Sequence, residues 1–91
     1  VAVDIQELID AGESNYVVEF DYIDREGQQT FGRQGELTEV RGMEEVWMLD
    51  YFRGREIRRF KIANMSNLRV LINEETEEPI TFEPDFPFVI T

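Results

Sequence analysis

Glu44-Glu45-Val46-Trp47-Met48-Leu49-Asp50-Tyr51-Phe52 is the stretch on which the fold turns. In an extended chain Trp47, Leu49 and Tyr51 fall on one side and Val46, Met48 and Phe52 on the other, because side chains alternate with a period of two. Both sides being apolar, the segment reads as a central strand covered on both faces. Gly54 marks a hairpin into a run from Ile57 to Ile62, and Gly42 closes an earlier run from Leu37 to Arg41. Further out, Tyr16, Val18, Phe20 and Tyr22 alternate with Val17, Glu19, Asp21 and Ile23, the pattern of a half-buried strand. Arg25-Glu26-Gly27-Gln28 supplies a turn, Thr30 to Arg33 a return strand interrupted by Gly32 and Gly35, and Leu68 to Ile72 a last β-branched run. Short strands at regular spacing with glycine turns predict a mainly β fold, a small barrel or a strongly bent antiparallel sheet.

The ends differ from this middle. Asp4 is placed as a helix N-cap with Glu7 three residues on, and Gly12 stands where a C-terminal glycine stops a helix. Ile5, Leu8 and Ile9 make one apolar stripe, so a short N-terminal helix over 1–13 lids the strands of 15–72. Residues 73–91 begin with an acidic loop, and Pro84 and Pro87 make a regular central strand untenable there. An extended tail is expected, its aromatics closing the end of the barrel or docking on a partner. At 91 residues, 42% hydrophobic, the chain has apolar material for a single core and a single domain over 1–91.

Twenty acidic against nine basic side chains give a net charge of −11, which disfavours a general phosphate-backbone binder. With no Cys and no His, the disulfide scaffold, the thiolate metal site and the commonest general base are excluded. No Gly-rich phosphate loop and no catalytic constellation is found, so a non-enzyme without cofactor or metal is expected. Glu74, Glu75, Glu77 and Glu78 lack the spaced ligands of a calcium loop and read as a solvated acidic segment. No apolar run approaches the ~20 residues of a membrane span, and signal-peptide features are missing. The expectation is a soluble cytoplasmic domain without membrane contact.

The total conceals a distribution. Five of the nine cations, Arg53, Arg55, Arg58, Arg59 and Lys61, fall between positions 53 and 61, where the only acid is Glu56. That block carries +4 on a remainder of −15. Within it Arg59 and Lys61 share one face of a strand, while Arg58 shares the other with Phe60 and Ile62. An arginine on the apolar side needs a partner. Glu19, Asp21 or Asp50 supplies it in a structural reading, and an incoming anion in a functional one.

Trp47-Met48-Leu49, followed after a turn by Arg58-Arg59-Phe60-Lys61-Ile62, resembles the WYL domain, named for a Trp-Tyr-Leu tripeptide and continuing into an Arg-x-Phe-x-Leu-Asp-Arg-Ile segment. The preceding order agrees: a short helix, a strand of the Val17-Val18-Glu19-Phe20-Asp21-Tyr22 kind before a Glu-Gly turn, then Arg33 on the next strand. The resemblance runs over roughly positions 5 to 72 and departs at three places. Met48 replaces the tyrosine, Ala63-Asn64 replace an Asp-Arg pair, and Gly35-Glu36 stand where a proline is usual after the arginine. The resemblance implies an SH3-like β-barrel of the kind found in bacterial and phage transcription regulators and in CRISPR-associated and other defence proteins, a ligand-sensing or nucleic-acid-binding module. Tyr22, Arg33, Trp47, Leu49, Arg58 and Phe60 fall on family positions.

Trp47, Leu49 and Phe60 are expected in the core, as a domain this small requires. For function, Arg33 and Arg58 are expected to meet a small anionic ligand or a short single-stranded nucleic acid, with Arg55, Arg59 and Lys61 guiding it and Tyr22 or Tyr51 stacking. The alternative is an acidic protein-interaction module or nucleic-acid mimic that binds a basic partner protein. Convergence of Arg33 and Arg58 on one concave face favours the first, and dispersal with each arginine paired favours the second.

Overall fold

Asp4 starts the helix as its residue type requires. A computed structural model, which describes residues Val1–Thr91 apart from the Arg53 side chain, places α1 at Ile5–Glu13 with the Asp4 carboxylate accepting the Gln6 amide. Leu8, Ile9 and Ala11 are buried in the core. Gly12 does not end the helix: Asn15 takes the left-handed position at φ 56°. Gly12 is instead a packing position, where the Cδ1 of Phe88 lies 2.7 Å from the place of a Cβ.

A methyl group at Gly12 therefore displaces Phe88, although alanine is the better helix former by about 1 kcal/mol. Gly12→Ala is expected to destabilise by about 1–2 kcal/mol in urea unfolding. In a Phe88→Ala background the sign should reverse, because the obstruction is gone and only the helix propensity remains. Destabilisation of the same size in both backgrounds would contradict this account.

Strands β1 (Val17–Ile23), β2 (Gln29–Arg41), β3 (Glu45–Asp50), β4 (Glu56–Lys61) and β5 (Met65–Val70) form an antiparallel sheet in the order β4-β3-β2-β1-β5. The fold is mainly β with one short N-terminal helix and an open, bent sheet. The two short runs expected around Gly32 and Gly35 are one strand of 13 residues, whose first half pairs with β1 and whose second half pairs with β3. Gly32, at φ 69°, sits where the β1 register slips between Phe20↔Arg33 and Tyr22↔Thr30. This bulge leaves Phe31 outside and turns Arg33 inward. At the far edge the Lys61 amide donates to the Tyr22 hydroxyl at 3.0 Å, so the sheet curls until β4 meets β1.

Val18, Phe20, Leu37, Val40, Val46, Met48 and Phe60 form the centre of the core. Trp47 and Leu49 do not join it. β3 is flanked by β2 and β4, yet only its Val46, Met48 and Asp50 side is covered, and Trp47 and Leu49 lie half-buried on the other face. There Arg41 lies 4.9 Å over the Trp47 ring, an amphipathic stem covering an aromatic in place of a second layer.

The tail closes one end of the sheet. Ile80 bridges Val17 and Leu71 through its carbonyl and amide, each at 2.9 or 2.8 Å. Strand β6 (Val89–Ile90) then pairs in parallel with Glu39 and Val40. Phe88 packs against the core, whereas Phe86 stays exposed. Among the described residues, no helix is long and apolar enough to cross a membrane.

Candidate functional site

The site begins with a buried charge. Arg33 is 7% exposed and Asp50 1%, and a guanidinium NH2 group of Arg33 donates to Asp50 Oδ2 at 2.8 Å. The other terminal nitrogen donates to Thr30 Oγ1 at 3.1 Å, and the guanidinium lies 5.1 Å from the Phe52 ring and 5.0 Å from the Phe60 ring. Its Nε has no partner among the described residues. Asp50 is also held, since its Oδ1 accepts the Phe52 amide at 2.9 Å as the chain leaves β3. Asp50, of the three acids considered from sequence, is thus the partner of the inward arginines.

Arg58 approaches the same carboxylate from β4, but its Nε is 3.9 Å from Asp50 Oδ2 and its side chain is 40% exposed. A pair that long and wet adds little stability. Arg33 is therefore an internal strut, and Arg58 keeps donors for the outside. The two do converge on one concave surface, a groove of about 620 Å³ between β4 and the β1–β2 turn.

The far wall of the groove is the loop Asp24–Gln28. Asp24 Oδ1 accepts the amides of Glu26 and Gln28 at 3.0 and 2.9 Å, an Asx turn that fixes the loop from within. Arg25 projects from it and is almost wholly exposed, 3.6 Å from neighbouring Glu26. On the near wall are Arg59 and Lys61, and on the floor Tyr22 with its ring edge-on to Phe60 at 4.9 Å. Arg59 is shared with Glu45 at 3.3 Å. Lys61 has no carboxylate within salt-bridge distance among the described residues.

Of the residues expected to bind, the groove brings together Arg33, Arg58, Arg59, Lys61 and Tyr22. Arg55 and Tyr51 lie elsewhere. After Asp50 the chain enters a short helical turn (Tyr51–Arg53), and Gly54 and Arg55 both adopt positive φ, 66° and 59°. Strand alternation therefore cannot be continued past Asp50. Tyr51 donates its hydroxyl to Glu36, Arg55 meets the same carboxylate at 3.3 Å and stacks 4.7 Å over the Tyr51 ring. Burial first, and Glu36 second, hold the Tyr51 hydroxyl protonated above its ordinary range. The side chain of Arg53, part of the basic block, lies outside the described residues. Sequence reasoning missed Arg25, Thr30 and Asn64, which also line the groove. Arg25 carried a signal, a cation on a glycine turn between paired strands.

The remaining arginines are neutralised. Arg69 meets Glu19 at 2.5 Å and Asp21 at 3.8 Å, and Arg41 meets Glu39 at 2.8 Å. Three carboxyls are accordingly held below their ordinary range: Glu19 by Gln34 and then Arg69, Asp21 by Asn67 and the Gly32 amide, and Glu39 by Arg41 and Thr91. Each binds fewer protons folded than unfolded, so the stability it adds is complete above the ordinary carboxylate range and is lost as pH falls through it. Chemical denaturation at stepped pH should show unfolding free energy declining from about pH 4 downward. A profile that stays flat below that point would contradict these assignments.

Comparison of the chain with protein-family models, with curated proteins and with solved structures gave no match.

Proposed function

We propose that this domain is a non-catalytic binding module of the WYL-like kind, which takes a small anionic ligand in the groove between Asp24–Gln28 and β4. The observation that carries the reading is that Arg25, Arg58 and Lys61 face one groove on a chain of net charge −11, with Arg25 no closer than 3.6 Å to Glu26, Arg58 no closer than 3.9 Å to Asp50 and Lys61 without a salt-bridge partner among the described residues, although Asp24 and Glu26 line the groove as well. Elsewhere Arg41 and Arg69 are held by acids at 2.8 and 2.5 Å, so the looser pairing in the groove, at 3.6 and 3.9 Å, leaves guanidinium donors for an incoming anion. Asn64, which stands where the resemblance has an arginine, lines the same groove. With Tyr51 turned to Glu36, the stacking candidate left in the groove is Tyr22, half-buried with its ring packed edge-on against Phe20 and Phe60, which favours recognition of phosphate over recognition of nucleobases. In the setting the resemblance implies, transcription regulation or defence, such a groove would serve as a sensor.

Titration calorimetry with pyrophosphate, nucleoside diphosphates and short oligonucleotides at two salt concentrations tests this. Heat that diminishes with salt is expected, and Arg58→Ala should weaken binding about tenfold, the value of a charge-assisted hydrogen bond. No heat with any of these compounds, or an unchanged affinity for Arg58→Ala, would sink the proposal.

A second reading, an acidic surface for a basic partner protein, draws on one observation: Glu74, Glu75, Glu77 and Glu78 are all exposed, as is Phe86 nearby in sequence. Replacing the four glutamates by glutamine should then abolish salt-sensitive capture of that partner, and undiminished capture would count against it.

A further inference from the structure

One wall of the groove is the outer edge of β4, and the register shows which of its backbone groups are open. The Ile62 amide donates to the Glu44 carbonyl at 2.9 Å, toward β3, whereas the Lys61 amide donates away from β3, to Tyr22. Lys61, Arg59 and Ile57 stand opposite Glu45, Trp47 and Leu49. By the alternation of an antiparallel ladder, the N–H and C=O of Ile57 and Arg59 also point away from β3, while those of Arg58 and Phe60 point toward it. Among the described residues no second strand pairs with β4. Lys61 has a substitute partner for its amide; among the described residues, Ile57 and Arg59 do not.

The side chains along this edge select what could pair with it. Ile57, half-exposed, Arg59 and Lys61 lie on one face of it and Arg58 on the other. Two copies joined through β4 would set these cations against each other, and like charges on facing strands destabilise. The same cations that reject a second copy match carboxylates on a different chain.

We infer that the open edge of β4 docks an extended acidic segment of another protein, which adds to the sheet as a further strand. Ile57 and Arg59 would each supply one main-chain donor and one acceptor, and Arg58, Arg59 and Lys61 would meet acidic side chains on both faces of the added strand. The inference rests on the reading of Arg58 and Lys61 as cations open to a ligand. It adds main-chain recognition, which a phosphate does not need.

The test uses the intact chain, labelled for amide NMR, with an end-blocked peptide of repeating Glu-Glu-Val-Val, which carries Glu on both faces of a strand, its Lys-for-Glu counterpart, and a copy N-methylated at every residue so that neither edge can donate. At saturation with the acidic peptide, exchange at Ile57 and Arg59 should slow at least about tenfold, while Lys61, already bonded, is unchanged. The N-methylated copy should bind about tenfold more weakly or worse, and the Lys peptide should protect neither amide. Binding without protection at Ile57 and Arg59, equal affinity for the N-methylated copy, or no binding would each overturn the docking edge. If pyrophosphate still perturbs the groove in those cases, the anion reading survives alone; silence toward both ligands removes both.

Discussion

Asp50→Ala is expected to cost about 3–5 kcal/mol of folding stability, the range for removing one partner of a buried ion pair. The reason lies in what remains. Arg33 is 7% exposed, already has an unpartnered Nε, and would lose its one close carboxylate. The Phe52 and Phe60 rings on either side help hold the guanidinium, but a cation over an aromatic face contributes only about 0.5–2 kcal/mol. The Phe52 amide would lose its acceptor as well. Against a total stability of roughly 5–15 kcal/mol for a domain of this kind, the loss approaches the whole. The complementary experiment removes both charges: Arg33→Met with Asp50→Leu should recover most of the loss, since apolar replacement of a buried pair is often neutral or better. Single substitutions that cost under about 1 kcal/mol would mean that the pair is wet and that Arg33 is not a strut.

Gly35→Ala should be nearly as damaging, by about 3 kcal/mol, at the upper end of ordinary overpacking. A Cβ there would stand 2.5 Å from the Leu49 carbonyl oxygen and 2.9 Å from Met48 Sδ. Methionine can turn aside, but a carbonyl within the β2–β3 ladder moves only if the strand moves. Gly35 lies directly opposite Asp50 in register, so that movement shifts the carboxylate away from Arg33 and opens the floor of the groove. Thermal unfolding checks the stability loss, and the anion affinity should fall with it. A Gly35→Ala protein of unchanged midpoint would show that the strands are farther apart than this register requires.

Both predictions concern parts of the molecule that a linear reading recovers only partly. The alternation from Val18 to Tyr22 and the Asp4 cap were legible because each depends on neighbours in sequence. The placement of Phe60 inside and Arg59 and Lys61 outside followed from the same period of two. Trp47 and Leu49 were misplaced because β3 is apolar on both faces, and sequence alone does not say which face receives a second layer. Gly12 was read as a helix stop because Phe88, the reason for it, is 76 positions away. Arg58 was legible as the arginine needing an acid partner, Asp50 among three candidates, but the buried place beside Asp50 belongs to Arg33, which was read only as a ligand residue, since its inward turn depends on the Gly32 bulge and on Phe52. Tyr51 and Arg55 were lost because the period of two ends at Asp50, where a capped turn intervenes.

Anion sensing by the groove requires that its cations be open while the other described arginines are taken. Arginine Nε–H and lysine amine resonances, followed in an isotope-labelled sample as pyrophosphate is added, measure this residue by residue. Saturable shifts are expected at Arg58, Lys61 and Arg25 with Arg41, Arg55 and Arg69 unmoved; shifts spread evenly over all arginines, or none at Arg58 and Lys61, would rule out an anion site in the groove.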